Sequence, residues 1–257
     1  MTEDQWKDIV DFVADAMLAH TRPFCTPLGT ETEDLVRLVG SGTYMKREER
    51  RILLTCEHVA RQQPIHHRFY GSNNIFKCSE EAWVMEKHPI DAALVPIETN
   101  VWESCQHQAV AVPYERFALT HLPSSAEELL FFRGYAGENA HYGFGVHETN
   151  ASGYCSQEKK ETGDQDIFEL FWEPKHTQFT ANTQTEARVA MKFDDPQGMS
   201  GSLVWNTRYL ETINAGHEWT PANAAVTGLL RRWDDKTKTL LVWRVEHLRT
   251  WLEAKRA

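Results

Sequence analysis

The sequence predicts an all-β protein that carries one helix near each end. Through the middle of the chain, short apolar or β-branched runs alternate with polar turns, and this pattern is typical of antiparallel sandwiches and barrels. Apolar residues recur at helical spacing only near the two termini. With 257 residues, 41% of them hydrophobic, the chain can bury a substantial core in one large domain or two small ones.

The first predicted element is an amphipathic helix over residues 4–20. Thr2 and Gln5 form a candidate capping box at its start. Residues 21–30 contain two prolines, a glycine and three threonines, which indicate a connector. The apolar positions of the helix follow its period: Trp6, Ile9, Val10, Val13 and Met17.

Ten strand-like runs follow this connector. The turn-rich segment Thr120–Ala126 divides them nearly in half, and a second helix is predicted at the end of the chain, with Leu248, Trp251 and Leu252 on one face. The runs are Leu35–Thr43, Arg51–Thr55, Ala82–Met85, Ala92–Ile97, Leu129–Phe132, Ile167–Trp172, Ala187–Phe193, Leu203–Trp205, Ala225–Leu230 and Thr239–Trp243. We therefore predict an N-terminal helix and connector over 1–30 and a main domain over 31–257, with halves at about 31–120 and 127–244 and the final helix at about 245–256.

Composition excludes several classes of function. A formal net charge of -10 argues against a nucleic-acid partner, because that affinity depends on clustered lysine and arginine. No run approaches the roughly 18 to 20 apolar residues that a membrane span needs. Five scattered cysteines fit reduced thiols, no CxxC pair indicates a structural zinc, and the first residues lack the pattern of a secretory signal. We expect a cytoplasmic protein without metal or cofactor.

Two motifs of the first half carry residues suited to acid–base chemistry. In residues 51–60, RILLTCEHVA, an apolar strand ends at Thr55 and His58 follows where the chain leaves the sheet. In residues 88–98, HPIDAALVPIE, Asp91 heads an apolar strand, and a buried carboxylate there requires a hydrogen-bond partner such as an imidazole. Each motif alone also fits a surface histidine or a turn aspartate.

The third motif, FDDPQGMSGSLVW over residues 193–205, is the most specific. Gly198 and Gly201 flank Ser200, so the backbone can form a tight turn that exposes the hydroxyl and directs successive N–H groups into one concavity. Such preset N–H groups are what a developing oxyanion requires. An ordinary Gly-Ser loop between strands is the structural alternative.

Together, and in this order, the three motifs resemble the trypsin/chymotrypsin-like serine peptidases. LTCEHVA is similar to the family's Thr-Ala-Ala-His box, IDAALV to its Asp-Ile-Ala-Leu box and GMSGS to its Gly-Asp-Ser-Gly-Gly box. The resemblance covers roughly residues 35–254 and is supported by three fragments: Gly40-Ser41-Gly42-Thr43, Gly134-Tyr135-Ala136-Gly137 and Val226-Thr227-Gly228-Leu229.

The resemblance implies two perpendicular six-stranded antiparallel β-barrels with the site in the cleft between them. It implies Ser200 as nucleophile, His58 as general base, Asp91 as the residue that orients the histidine, and the N–H groups of Gly198 and Ser200 as the oxyanion hole. The implied function is a serine endopeptidase that forms an acyl-enzyme on a protein or peptide substrate. An activating protein partner in a bacterial cytoplasm would suit a regulated protease.

Two departures from the family pattern, and one match to its trypsin-like members, affect details. Met199 stands where zymogen-derived members carry an aspartate, and the disulfide beside the catalytic histidine is absent. Asp194 occupies the position that selects Arg or Lys substrates in trypsin-like members, which requires a buried carboxylate at the base of the specificity pocket. Asp194-Asp195-Pro196 is also good turn chemistry, so Asp194 is a substrate-binding candidate with a simple structural alternative.

Two other functions compete with the peptidase. One is a non-catalytic trypsin-fold module that only holds a peptide or protein in its cleft. The other is a metal-dependent hydrolase, for which neither an HExxH spacing nor a paired-cysteine pattern is present. The residues of that metal alternative are His66, His67, Cys78 and His88.

Overall fold

The computed structural model describes residues 2–32, 35–143, 146–159, 164–173 and 178–255. Helix α1 (Glu3–Thr21) confirms the predicted N-terminal helix. Its capping box is formed: the Thr2 hydroxyl accepts the Gln5 backbone N–H at 3.3 Å, and the Gln5 side chain accepts the Thr2 N–H at 2.9 Å. Val13 and Met17, on its apolar face, are fully buried.

The first half of the chain forms one curled sheet. Its strands are β1 (Cys25–Thr32), β2 (Leu35–Arg47), β3 (Arg50–Thr55), β4 (Ile65–Arg68), β5 (Ile75–Lys77), β6 (Val84–Glu86), β7 (Ala92–Ile97) and β8 (Val112–Pro113). They are hydrogen-bonded in the order β5-β4-β1-β2-β3-β7-β6, all antiparallel, and β8 pairs parallel with β2. Two single-turn helices interrupt the strands, α2 (Glu57–Ala60) after β3 and α3 (Thr99–Trp102) after β7.

The second half forms another curled antiparallel sheet. Its strands are β9 (Leu130–Gly143), β10 (Val146–Ser156), β11 (Glu158–Lys159), β12 (Ile167–Phe171), β13 (Leu203–Asn206), β14 (Ala225–Asp234) and β15 (Thr239–Arg244), in the order β10-β9-β13-β14-β15-β12-β11. Helices α4 (Thr185–Ala190) and α5 (Tyr209–Asn214) lie between strands, and α6 (Val245–Ala254) ends the described chain. None of the helices in the described ranges has the length and apolar character to cross a membrane.

These two sheets and terminal helices confirm the predicted class. Within the described residues the sheets contain eight and seven strands rather than six each, because short strands such as β5, β8 and β11 pair along their edges. The main core crosses the boundary: Leu53 of the first sheet, Val226 of the second and Met17 of α1 belong to one buried cluster. The sheets therefore pack as one body around the residues between them.

Two segments differ from their predictions. The predicted connector over 21–30 is largely strand β1, which pairs with β2 on one side and β4 on the other. Pro27 is tolerated because it precedes the stretch of β1 that bonds to β4. The run Ala187–Phe193, predicted as a strand, overlaps α4, whose Val189 is 84% exposed, so its branched side chain has no sheet to pack on.

Candidate active site

The His58 side chain is presented by a short helix at the end of a buried strand. Strand β3 ends at Thr55, Cys56 takes an extended backbone conformation, and α2 begins at Glu57. Val59 is fully buried and anchors this turn, whereas the His58 side chain is 32% exposed. The imidazole therefore reaches solvent from a rigid support, as the sequence predicted.

Asp91 lies directly before β7 and contacts His58 through both carboxylate oxygens. Oδ2 is 2.8 Å and Oδ1 is 3.1 Å from His58 Nδ1, and Oδ1 also accepts the His58 backbone N–H at 3.0 Å. A carboxylate can only accept hydrogen bonds, so Nδ1 carries the proton and Nε2 is left as the basic nitrogen. Asp91 itself has a φ of 52°, a left-handed conformation that aspartate adopts more readily than most residues.

The charge of Asp91 is maintained against burial by its neighbours. Burial of the carboxylate raises its pKa, but hydrogen bonds from His58 and electrostatic attraction to His58 and Arg231 outweigh that effect, so the pKa of Asp91 is lowered from its usual 3.8. The aspartate is therefore ionised at neutral pH. An ionised carboxylate at this position stabilises the imidazolium that forms when the histidine takes a proton.

Arg231 is a residue of this site that the sequence analysis missed. It lies on β14, is 6% exposed, and places its Nε 3.8 Å from Asp91 Oδ2. Its guanidinium lies 5.4 Å from the centre of the Trp243 ring, in cation–π geometry. The sequence feature that could have predicted Arg231 is an arginine pair, Arg231-Arg232, at the end of an otherwise apolar strand.

Ser200 lies in a turn whose shape depends on its two glycines. Gly198 and Gly201 have φ values of 98° and 92°, which side chains rarely tolerate. A Cβ on Gly201 would lie 2.1 Å from the Ser41 carbonyl oxygen, so the turn accepts no larger residue there. Within the described ranges, neither the Gly198 N–H nor the Ser200 N–H has a hydrogen-bond acceptor. Both are thus free to bind an oxyanion.

Ser41, on β2 of the first sheet, forms hydrogen bonds to the serine turn and to β9 of the second sheet. Its N–H donates to the Ser200 carbonyl at 2.9 Å, and its Oγ donates to the Gly198 carbonyl at 2.8 Å. The same Oγ accepts the Tyr135 N–H at 2.8 Å. The fragment Gly40-Ser41-Gly42-Thr43, noted in the sequence only as a supporting match, therefore supplies the residue that holds the serine turn in place.

The histidine turn and the serine turn adjoin each other where the two sheets face each other. Gly40 is wedged between the histidine turn and the serine turn: a Cβ there would lie 2.5 Å from Val59 Cγ1 and 3.2 Å from the Ser200 carbonyl oxygen. His58 and Asp91 are hydrogen-bonded directly. No hydrogen bond joins Ser200 to His58 in the described part of the chain, a contact that often tightens only when substrate is bound.

Solved protein structures share this arrangement of sheets. The active form of the Rv3671c protease from M. tuberculosis aligns with a TM-score of 0.56 at 13% identity, over 94% of this chain and 85% of that one. The serine endoprotease from Yersinia pestis gives 0.55 at 13% identity, over 94% and 65% of the two chains. Neuropsin, a serine protease expressed in the limbic system of mouse brain, gives 0.53 at 11% identity, over 93% and 96%. This chain has a trypsin-like serine protease fold.

In this trypsin-like fold, the candidate triad draws on both sheets. His58 and Asp91 adjoin β3 and β7 of the first sheet, and Ser200 precedes β13 of the second. No protein-family model matches the sequence, and no curated protein does either. At identities this low the structural likeness establishes the fold alone, and the reaction that the protein can catalyse depends on the side chains of the site.

The donor atoms of Cys56, His58 and Asp91 lie within 4.8 Å of one another, close enough to consider a metal ion. The Cys56 thiol is fully buried, donates to the Leu230 carbonyl at 3.3 Å, and has its pKa raised well above the usual value, chiefly by burial. It is therefore a protonated thiol, a poor metal ligand. His58 Nδ1 is already bonded to Asp91, so this trio fits hydrogen bonding better than metal binding.

Two of the four residues of the alternative metal site, His66 and His67, have other partners. His67 is buried against Tyr44, whose hydroxyl lies 2.7 Å from Nδ1, and burial lowers its pKa to about 4. His66 Nε2 lies 3.8 Å from a Glu31 carboxylate oxygen. The five cysteines are free thiols.

Asp194 does not have the burial that its predicted role requires. Its side chain is exposed, on the loop before the serine turn, so it does not form the base of an enclosed pocket. The neighbouring Asp195 N–H donates to Glu138 Oε1 at 3.0 Å. Burial and the charges of Asp194 and Asp195 together raise the pKa of Glu138. The loop therefore carries a concentrated negative charge at the surface.

Proposed function

We propose that this protein is a serine endopeptidase with Ser200, His58 and Asp91 as its catalytic triad. One observation carries the proposal: the bidentate contact between Asp91 and His58 Nδ1 lies beside a glycine-flanked serine turn in which the N–H groups of Gly198 and Ser200 have no acceptor among the described residues. The contact sets the tautomer of a base, and the turn supplies a nucleophile and an oxyanion hole. A peptide carbonyl needs all three parts.

In the proposed mechanism, His58 transfers a proton each time a covalent bond to the substrate carbonyl carbon forms or breaks. Ser200 Oγ attacks the scissile carbonyl carbon while His58 Nε2 takes the hydroxyl proton, and the N–H groups of Gly198 and Ser200 bind the resulting oxyanion. The C–N bond then breaks as His58 returns the proton to the leaving amine, which gives an acyl-enzyme. Water attacks this ester, His58 takes a proton from the water, and the proton passes to Ser200 as the acid is released.

Reaction with a fluorophosphonate probe tests the nucleophile directly. We expect covalent labelling of the native protein and none of Ser200→Ala. Ser202→Ala is the matched control, because its buried hydroxyl lies in the same turn without a hydrogen-bond partner among the described residues, and it should label like the native protein. A folded native protein that takes no label under any condition would favour the competing function, a non-catalytic module that only binds peptides.

We further propose that the surface carboxylates near the cleft favour substrates with Arg or Lys at the cleavage site. Asp194 and Asp195 on the loop that leads to Ser200, together with Glu138 on the adjacent strand β9, concentrate negative charge there. Screening by water makes such a preference weaker than that of a buried carboxylate. Cleavage of a peptide library by Asp194→Asn should show a reduced basic preference, and Asp8→Asn, an exposed change on α1, should leave it unchanged.

The proposed substrate is a protein, and activity is expected to persist in the presence of a metal chelator. A cytoplasmic location, a bacterial origin and an activating protein partner stay predictions. Purified protein that digests unfolded proteins broadly and constitutively would contradict regulation by a partner, whereas a narrow substrate range would support it.

A further inference from the structure

A cavity lined by arginine side chains lies on another part of the boundary between the sheets. It has a volume of about 380 Å³ and is formed by the turn after α1, strands β1 and β4, the loop after β4, and strands β9 and β10. We call it the arginine cavity, after Arg22, Arg68 and Arg133, which line it together with Tyr70 and Tyr135. Its size is within the usual range for small-molecule sites.

The charged side chains that the described residues contribute to the arginine cavity are all positive. Within the described ranges, no aspartate or glutamate belongs to its lining, and none of the three arginines forms an ion pair with a carboxylate. Arg22 lies near Tyr70, with Nη1 3.5 Å from the phenol oxygen. In a chain of net charge -10, three converging guanidiniums without a carboxylate form a local exception that requires a physical explanation.

Arg133 carries the clearest energetic cost in this cavity, because its charge is buried without a counter-charge among the described residues. The residue is 7% exposed, and its Nε is buried without a hydrogen-bond acceptor. Burial lowers the pKa of Arg133, and the positive charge of Arg22 lowers it further, while nearby Cys25 and Tyr135 oppose this. Leaving a charged donor buried and unpaired costs free energy, and an anion in the cavity would remove that cost.

A purely structural role accounts for only part of Arg133. Its Nη1 donates to the Leu18 carbonyl of α1 at 2.9 Å, a favourable contact between a cation and the last turns of a helix. That contact uses one of five N–H groups. It also does not involve Arg68, whose side chain lines the same cavity without any partner among the described residues.

The arginine cavity is connected to the serine turn by two residues of β9. Gly134 follows Arg133, and a Cβ there would lie 2.8 Å from Met199 Sδ and 2.1 Å from Ser202 Oγ. The next residue, Tyr135, donates its N–H to Ser41 Oγ, which donates to the Gly198 carbonyl. A ligand that fixes this stretch of β9 therefore fixes the strand against which the oxyanion turn is packed.

We propose that the arginine cavity binds a phosphate group, as the free ion or as a small phosphate monoester, and that this ligand modulates the candidate active site. Three positive charges favour a dianion over a single carboxylate, and guanidinium forks match the oxygens of a tetrahedral phosphate. Binding depends only on the cavity. The effect on activity rests in addition on the proposed peptidase function.

Binding is tested with inorganic phosphate by calorimetry and thermal unfolding, in chloride buffers of equal ionic strength and at a pH above the second pKa of inorganic phosphate, where the dianion predominates. We expect a saturable heat and a rise in melting temperature for the native protein. Arg68→Gln should weaken the affinity by about tenfold or more, because it removes a charge-assisted donor pair, and the Arg68 side chain has no hydrogen bond or ion pair to lose among the described residues. Lys236→Gln is the control: Lys236 is exposed, lies outside the cavity lining, and its side chain forms no hydrogen bond or ion pair among the described residues, so the affinity should change less than about twofold.

The source of the phosphate is distinguished by comparing inorganic phosphate with glycerol phosphate and with acetate. Tighter binding of glycerol phosphate indicates a monoester ligand, and tighter binding of phosphate indicates the free ion. Acetate that binds as tightly as either would overturn the choice of phosphate. Absence of a saturable phosphate signal in the native protein, or equal affinity in Arg68→Gln, would overturn the site itself.

Modulation is tested by the rate of fluorophosphonate labelling with and without saturating phosphate. We expect the rate to change severalfold in the native protein and to stay constant in Arg68→Gln. A rate that phosphate leaves unchanged would refute the coupling. A protein that binds phosphate but takes no label would refute the proposed function while the binding site stands.

Discussion

Arg231 and Arg133 are two arginines buried to nearly the same degree, 6% and 7% exposed, in very different electrostatic surroundings. Both lie on the second sheet, and both have an Nε without a hydrogen-bond acceptor. Burial lowers the pKa of each. Arg231 faces the carboxylate of Asp91 at 3.8 Å, whereas Arg133 faces Arg22 and two tyrosines.

The difference shows how the same side chain can serve two purposes. At Arg231 the compensating charge is part of the chain, and the guanidinium adds to the hydrogen bonds from His58 that keep Asp91 ionised. At Arg133 the described chain supplies one carbonyl and no counter-charge. We therefore interpret the first arginine as a positioning residue of the triad and the second as part of a site for an external anion. The following substitutions test this distinction.

The largest expected effect comes from removing the carboxylate from the first site. Asp91→Asn leaves Arg231 without a counter-charge and lets His58 adopt the wrong tautomer, so the turnover number should fall by about a thousandfold to ten-thousandfold. Initial rates on the best library peptide measure this. Asp166→Asn is the control, because Asp166 contacts His247 at 3.3 Å on the surface and should be silent. Equal activity of the Asp91 variant would remove Asp91 from the mechanism.

Removing the arginine from the first site should lower stability. Arg231→Met leaves the carboxylate of Asp91, 11% exposed, without its cation, although His58 still donates to it. We expect a loss of about 2 kcal/mol in the free energy of unfolding, below the full cost of breaking a buried pair because one partner remains. Urea unfolding measures it, with the exposed neighbour in Arg232→Met as control. A variant as stable as the native protein would show that Arg231 contributes only packing.

The pH dependence of stability tests whether Asp91 and Arg231 interact through their charges. The pKa of Asp91 in the folded protein lies below its usual 3.8, so the ionised carboxylate stabilises the fold above that pH, and this contribution is lost as pH falls through the lowered value. Arg231→Met should raise the folded pKa and move the acid-induced loss to higher pH. Urea unfolding at a series of acidic pH values measures the shift. Superimposable pH profiles of the variant and the native protein would contradict a charge interaction between the two residues.

The sequence predicted the fold where local patterns decide structure. The capping box at Thr2 and the apolar runs at Ala92–Ile97 and Leu203–Trp205 form elements with nearly the predicted bounds. It failed at β1 because Pro27 and Gly29 break the apolar pattern, while the pairing that makes this segment a strand comes from β2 and β4, distant in sequence. Such pairing is not encoded in a local window.

For the candidate site, short motifs predicted His58, Asp91 and Ser200 but not the residues that contact them. Arg231 reaches Asp91 from across the molecule, and Ser41 reaches the serine turn through bonds that span both sheets. These contacts depend on the packing of one sheet against the other. The role expected for Asp194 depended on burial, which no motif specifies, and the side chain is exposed.

The smallest expected effect comes from replacing the arginine that lacks a counter-charge. Arg133→Met removes an uncompensated buried cation and one bond to the Leu18 carbonyl, so the free energy of unfolding in chloride buffer should change by less than about 1 kcal/mol. In phosphate the native protein should gain stability and the variant should not. Paired urea titrations in the two buffers measure both quantities. A loss of about 3 kcal/mol without phosphate would instead identify Arg133 as a structural cap of α1, and the contrast with Arg231 would then reflect packing rather than ligand binding.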